Sequence, residues 1–285
     1  MAKYCSRDCQ IAHRPQHKKA CKKRAKELYD EKLFKQPPPL DDCPICMILL
    51  PRLATGRTYM ACCGKFICRG CTHAPVYDDK GNIVPDVCPF CRTPPPSNEE
   101  EVLKRYMKRA ELNDAGAIYS IASFHAQAQF GLPPNAAKAL ELLQRAGELG
   151  FASAYHNIGN AFHSARGVNR DGKKADYYYE LAAIGGDPYA RHNLGLYEYR
   201  AGNFNRALKH WMIALRDGVS DSLRNIKSMY MYGHVTKDDY ATALRSHQAY
   251  LDEIKSEQRD EAAAFSVHNK YFGCCLEEEE YEELM

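Results

Sequence analysis

Residues 152–186 read ASAYHNIGNAFHSARGVNRDGKKADYYYELAAIGG, and the pattern recurs on both sides of them. Ala154-x3-Ile158-Gly159 is preceded by Ala117-x3-Ile121-Ala122 and followed by Ala190-x3-Leu194-Gly195. The second halves match as well. Lys138-Ala139, Lys174-Ala175 and Arg206-Ala207 each lead to a further alanine (Ala146, Ala182, Ala214) and then to Gly150, Gly186 and Gly218. The period is 36 residues from Lys138 to Lys174 and 32 from Lys174 to Arg206, so the third copy has a shorter internal turn. A degenerate fourth copy runs from Ser222 through Ala243-Leu244. Such a period marks helix pairs that cannot bury their apolar faces alone and must stack. Small residues at fixed positions let the two helices of a pair approach closely, and the closing glycines suit a C-cap. The expected fold class is mainly α, ending in an α-solenoid, with 245–270 continuing as a helix that caps the stack.

These units resemble Sel1-like repeats, relatives of the tetratricopeptide repeat. The copy with Arg166-Gly167-Val168 and Asp171 fits that pattern best. Tyr119, His156, His192 and Arg224 hold one equivalent position on the first helices; Ser120, Asn157, Asn193 and Asn225 hold the next. By the tetratricopeptide likeness this side faces a groove where polar side chains grip a protein or peptide ligand. The alternative is that the asparagines bond neighbouring repeats.

Upstream, eight of the chain's 13 cysteines fall in pairs: Cys43/Cys46, Cys62/Cys63, Cys68/Cys71 and Cys88/Cys91. A C-x-x-C turn brings two thiolates to one Zn²⁺, and four pairs supply two closed Cys₄ sites. The spacing, with Ile45 inside the first pair, Pro89 inside the last and Arg92 after it, resembles an all-cysteine RING finger. The family's common Cys-Gly-His stretch is here Cys62-Cys63-Gly64-Lys65. A lysine amine is protonated near neutral pH and ligates zinc poorly. Cys62 and Cys63 are therefore taken as ligands three and four, with Gly64 permitting the turn and His73 as a substitute candidate. The resemblance implies a small α+β cross-brace in which Cys43, Cys46, Cys68 and Cys71 hold one zinc, and Cys62, Cys63, Cys88 and Cys91 the other. It also implies a RING-type ubiquitin ligase: Ile45 and Pro89 would contact a ubiquitin-charged conjugating enzyme, and the planar fork of Arg92 would bridge enzyme and ubiquitin. Acceleration would come from positioning, with no catalytic residue in the ligase itself. The competing reading is a non-enzymatic zinc-binding scaffold for protein–protein interaction.

The N-terminus holds Cys5, Cys9, His17 and Cys21 in a Tyr-Cys-Ser…His-x3-Cys frame that resembles the second half of a MYND finger, a protein-binding module. Each of that family's two zinc sites is left with two ligands, and two ligands do not close a structural site. Either the four rearrange around a single zinc, or the segment is a basic helix from about Asp8 to Leu33. Lys18, Lys19, Lys22, Lys23, Arg24 and Lys26 form a basic cluster without interleaved aromatics, which argues against a nucleic-acid partner.

The organisation expected is a partial MYND-type finger over 1–25 and a basic helix with a Pro-rich linker over 26–40. The RING-type finger follows over 41–96 and a linker helix over 97–113. Repeats with their C-terminal cap occupy 114–270, and an acidic tail 271–285, in which Cys274 and Cys275 precede the glutamate run. The opening Met-Ala-Lys-Tyr-Cys lacks the apolar region of a secretory signal. No segment approaches the ~20 apolar residues of a membrane span. Cysteines in metal-type pairs fit a reducing compartment, cytoplasm or nucleus.

Overall fold

The computed structural model describes residues 18–39 and 41–268, and among these lie twelve α-helices and four short strands. Helix α1 spans Lys18–Leu33. A hairpin follows, β1 (Arg57–Met60) and β2 (Lys65–Cys68), then the short α2 (Arg69–His73) and a second small hairpin, β3 (Val76–Tyr77) with β4 (Ile83–Val84). Helix α3 is Glu99–Glu111. Four consecutive helix pairs come next: α4 (Ala115–Gln127) with α5 (Ala136–Glu148), α6 (Ala152–His163) with α7 (Gly172–Ile184), α8 (Pro188–Arg200) with α9 (Phe204–Arg216), and α10 (Ser220–Met231) with α11 (Lys237–Ile254). Helix α12 is Glu257–His268. Each pair packs on the next, so the chain is mainly helical, an α-solenoid joined to a small cysteine-rich region.

The repeat positions explain why the pairs form. Ala117, Ala154 and Ala190 on the first helices, and Ala146, Ala182 and Ala214 on the second, are all wholly buried. Side chains this small bring the helix backbones together while the larger Ile118, Ile158, Tyr179 and Trp211 fill the layers between. Starts are set by side-chain caps: Asp114, Asn135, Asp171 and Asp187 each accept a backbone N–H from the first turn of the helix that follows. Ends are set by glycine. Gly150, Gly186 and Gly218 have φ near +95°, a region open to glycine. The residue after each donates its N–H back to the alanine five positions earlier, Phe151 to Ala146, Asp187 to Ala182 and Val219 to Ala214, which is the Schellman closure.

The first and last described helices are held by the repeats and by the cysteine-rich region, respectively. Leu33, buried at the end of α1, packs among Ala175, Tyr179 and Ala182. The guanidinium of Arg191, itself buried, donates to the carbonyls of Leu33 and Lys35 and so satisfies the open C-terminal end of α1. At the other end the expected continuous helix is divided. Lys255 is extended, Ser256 accepts the N–H of Arg259 to start α12, and α12 packs on α2.

Close approach within pairs gives a direct stability test. A Cβ on Gly195 would lie 2.3 Å from Trp211 Nε1, whereas one on Gly172 would meet nothing within 4 Å. Gly195→Ala is expected to destabilise the repeats by about 1–3 kcal/mol, the usual cost of overpacking. Gly172→Ala is expected to be neutral or stabilising by up to about 1 kcal/mol. Denaturant unfolding followed by far-UV circular dichroism measures both.

Candidate metal centres and the interface around them

Two groups of four thiols converge in the cysteine-rich region. The sulfurs of Cys43, Cys46, Cys68 and Cys71 lie within 4.8 Å of one another, and so do those of Cys62, Cys63, Cys88 and Cys91. Local structure delivers each pair. Cys43 and Cys46 sit on a tight turn closed by Met47 N–H to Cys43 O, and Cys88 and Cys91 on a matching turn closed by Arg92 N–H to Cys88 O. Cys62 and Cys63 form the tip between β1 and β2, where Gly64 takes φ +70°. Cys68 ends β2 and caps α2, which carries Cys71. His73 belongs to neither group; its ring lies 4.8 Å from that of Phe265.

The spacing suits a tetrahedral ion. Four sulfurs at about 2.3 Å from one zinc stand about 3.8 Å apart. Cys46–Cys68, Cys63–Cys88 and Cys62–Cys91 are separated by 3.8, 4.0 and 3.4 Å. Without a cation the thiols resist ionising together. Burial, followed by neighbouring sulfurs, raises Cys62 and Cys71 far above the ordinary thiol range and brings Cys63 up to about 11. Burial also opposes ionisation of Cys43, but N–H donors from Cys46, Cys68 and Ile45 outweigh it and bring that thiol down to about 7. The two Cys₄ clusters can bind zinc.

This region is docked against the repeats. Arg52 donates to Asp217 across 2.9 Å, with side-chain exposures of only 13% and 7%, and also to the Pro38 carbonyl. Phe66 of β2 stacks on Phe151 at 6.0 Å, and Tyr59 of β1 packs against Tyr106 of α3 and the bare backbone of Gly116. Between the two surfaces remains a cavity of about 340 Å³, lined by Arg57, Phe66, Tyr119, His156, Asn157 and Asp187 among others. The guanidinium of Arg57 lies 4.6 Å over the Phe66 ring, and burial, then Arg52, pulls its pKa below the usual arginine value.

The ladder positions on the first helices are largely bonded to one another. Asn157 donates to Tyr119 at 3.1 Å, Asn193 meets His156 at 3.3 Å, and His192 meets Ser222 at 2.9 Å. Burial holds His192 at about 4, so it joins this ladder as a neutral ring. Arg224 is exposed and pairs with Asp221 at 2.9 Å; Asn225 is half-buried beside it on α10. Of the N-terminal set, Cys21 is buried on α1, while Cys5, Cys9 and His17 lie outside the described residues. Cys274, Cys275 and the acidic tail lie outside them too. On the cysteine-rich region Ile45 is 39% exposed and Arg92 is exposed, with Pro89 half-buried between buried Cys88 and exposed Phe90. The exposed Met47 and Phe90 and the docking residues Arg52 and Arg259 went unmarked in the sequence. Met47 was findable, because it follows its C-x-x-C pair as Arg92 follows the last.

Comparison with known proteins gives three kinds of result. The MYND finger family model matches residues 1–21. No curated protein matches the chain. Among solved structures, the chain is similar to a Sel1 repeat protein from Oxalobacter formigenes, with 29% identity over 54% of this chain and 64% of that one and a TM-score of 0.47. It is also similar to an immunity protein from Pseudomonas aeruginosa, with 24% identity over 56% and 60% of the two chains and a TM-score of 0.40. A protective antigen present in uropathogenic Escherichia coli strains, displaying an SLR fold, shows 19% identity over 66% and 46% and a TM-score of 0.36. The chain therefore spans less than two thirds of each of these proteins. No helix among the described residues is long and apolar enough to cross a membrane.

The buried Arg52–Asp217 pair yields a pH-dependent prediction. Burial raises the Asp217 carboxyl to about 6, against the pull of Arg52 and then Arg191. Its folded value thus exceeds the unfolded one, so its ionisation opposes folding and stability falls as pH rises through about 6. Arg52→Ala removes the cation that offsets this charge, a loss on the order of 3 kcal/mol when the carboxylate is ionised. The defect of Arg52→Ala relative to wild type is expected to be clear at pH 8 and to shrink toward pH 5, where Asp217 is neutral in both. Thermal unfolding at the two values checks it.

Proposed function

We propose that this chain is a zinc-dependent protein-interaction scaffold, in which a two-zinc module with RING-like ligand order is locked onto a stack of Sel1-like repeats. The observation that supports it best is the pair of four-thiol groups, each drawn from sequence-distant cysteine pairs and spaced for a tetrahedral ion. In this reading Cys43, Cys46, Cys68 and Cys71 hold one zinc, and Cys62, Cys63, Cys88 and Cys91 the other. Both are closed sites with no position for water or substrate, so the ions fold the module rather than perform chemistry. The MYND-type segment, with Cys5, Cys9, His17 and Cys21, adds at most one more ion. Partners are proteins or peptides taken at the repeats, with Tyr119, His156 and Asn157 facing the cavity and Arg224 and Asn225 on the fourth pair. Ordered inter-repeat bonds hold most of these ladder groups, so the face serves as a rigid platform.

A sharper reading, RING-type ubiquitin transfer, is favoured by the state of the two cysteine turns. Met47 and Arg92 follow their pairs with φ of +56° and +57°, where a side chain costs about 1–2 kcal/mol. Ile45, Met47, Phe90 and Arg92 are nevertheless all exposed, and none contributes to the contacts with the repeats described above. Strained residues of this kind gather at functional surfaces. Here Ile45 and Pro89 would dock a ubiquitin-charged conjugating enzyme, Arg92 would steady its thioester, and the repeats would hold the substrate or an adaptor.

Metal analysis of the full chain is expected to give two zinc ions from the module; one or none sinks the cross-brace. Ile45→Ala and Arg92→Ala are expected to keep both ions and the fold. Each should cut ubiquitin discharge in an assay with a panel of conjugating enzymes, by roughly tenfold if it removes about 1.4 kcal/mol of recognition. A zinc-loaded wild type that stays inactive with the whole panel leaves the scaffold reading standing and removes the ligase one.

A further inference from the structure

Helix α12 reaches the first cysteine group from the far end of the chain. Gly70 of α2 makes room for it: a Cβ there would lie 2.8 Å from the backbone nitrogen of Arg259. Phe265 packs on His73, and Ala262 between them in sequence is buried. The Arg259 side chain then spreads over the turn that carries Cys43 and Cys46. Its Nη1 donates to the carbonyls of Leu49 at 2.9 Å and Ile254 at 2.8 Å. Its Nη2 donates to the carbonyl of Ile48 at 3.2 Å and to Cys46 Sγ at 3.8 Å. Gln258, next to it, lies 4.0 Å from Cys71 Sγ. One side chain thus fixes the backbone of a ligand turn and touches a ligand sulfur directly.

The chemistry of a Cys₄ site gives this contact its meaning. Four thiolates around Zn²⁺ leave the site with two net negative charges. A guanidinium donating N–H to one sulfur offsets that charge through a charge-assisted bond. Partners of this outer kind orient ligands and set how tightly the metal is held. The outer contacts of the second group are neutral by comparison, namely Thr93 Oγ1 at 3.1 Å from Cys91 and the Met60 carbonyl at 3.9 Å from Cys63.

We propose that Arg259 is an outer-sphere group of the first zinc site, so that metal held by Cys43, Cys46, Cys68 and Cys71 fastens Glu257–His268 to the module. This rests on the two-zinc reading above. The coupling runs both ways: the helix tightens the metal, and the metal holds the helix.

The test uses full-length zinc-loaded protein challenged with a chromophoric chelator. In Arg259→Ala one of the two ions is expected to be held about 10–100-fold more weakly while the other matches wild type. Amide exchange across 257–268 is expected to rise in the same variant. Arg259→Lys keeps the charge but loses the planar fork, and should give a partial effect in a protein that stays folded. With ¹¹³Cd in place of zinc, Arg259→Lys should move one of two metal resonances and leave the other in place, a shift that a purely structural role would not cause. Two zinc ions in wild type, with unchanged release and unmoved resonances in both variants, overturn the role of Arg259 alone. A wild type that binds no zinc in the module overturns the two-zinc reading and this proposal with it.

Discussion

The placement of the cysteine-rich region depends on one charge held away from water. Asp217 ends the second helix of the third pair, where the Schellman closure at Gly218 turns the chain inward, and its side chain is almost wholly covered. A carboxylate in such a position is costly unless a cation reaches it with good geometry. Arg52 does so from the loop before β1, and with the same guanidinium it also binds the Pro38 carbonyl. Module, linker and repeats therefore meet at a single planar group. Arginine suits this post better than lysine, because its donors form a rigid fork that can serve several acceptors at once.

The same device recurs. Arg191 closes the open carbonyls at the end of α1, and Arg259 binds carbonyls of the first cysteine turn. Arg191 and Arg259 reach across more than 150 residues of sequence to backbone carbonyls, and Arg52 reaches as far to the Asp217 carboxylate. A cysteine-rich region of this size has a small core of its own, whose apolar cluster holds only Leu50 and Ile67 as buried side chains besides the cysteines. Its position must come from surrounding contacts rather than from apolar burial inside it.

Much of this was legible in the sequence, for physical reasons that can be named. Alanines at a fixed period forecast the helix pairs because close backbone approach tolerates nothing larger, and Ala117, Ala154 and Ala190 are indeed wholly buried. Gly150, Gly186 and Gly218 marked the helix ends because only a left-handed residue can close them cheaply. Cysteine spacing pointed to clusters because thiols must sit within a few ångströms of a shared ion. The long-range contacts were not legible. Arg52, Arg191 and Arg259 look like ordinary surface cations in sequence, since nothing local distinguishes a guanidinium that meets water from one that meets a distant carbonyl. The proline run over 37–39 read as a spacer, yet Pro37 lies against Gly186 and Pro38 accepts from Arg52. The break at Lys255 was hidden for a similar reason: Ser256 is an unremarkable residue until α2 offers the new helix a surface.

Docking also changes what the repeat face can do. In an isolated stack the positions from Tyr119 to Asn193 would present polar groups to solvent, free to bond an incoming backbone. Here they bond across repeats, and the module covers part of what remains. Displacing those bonds would leave buried donors and acceptors unsatisfied, at a cost of about 1–3 kcal/mol for each group. A partner at this face therefore gains most by filling the cavity beside Arg57 and Asp187 without breaking the ladder. A partner at the cysteine turns meets no such obstacle, because Ile45, Met47 and Phe90 are already exposed and present no inter-repeat bonds to break. In the proposed reading, this asymmetry suits the turns to transient contact and the repeats to the part of a rigid platform.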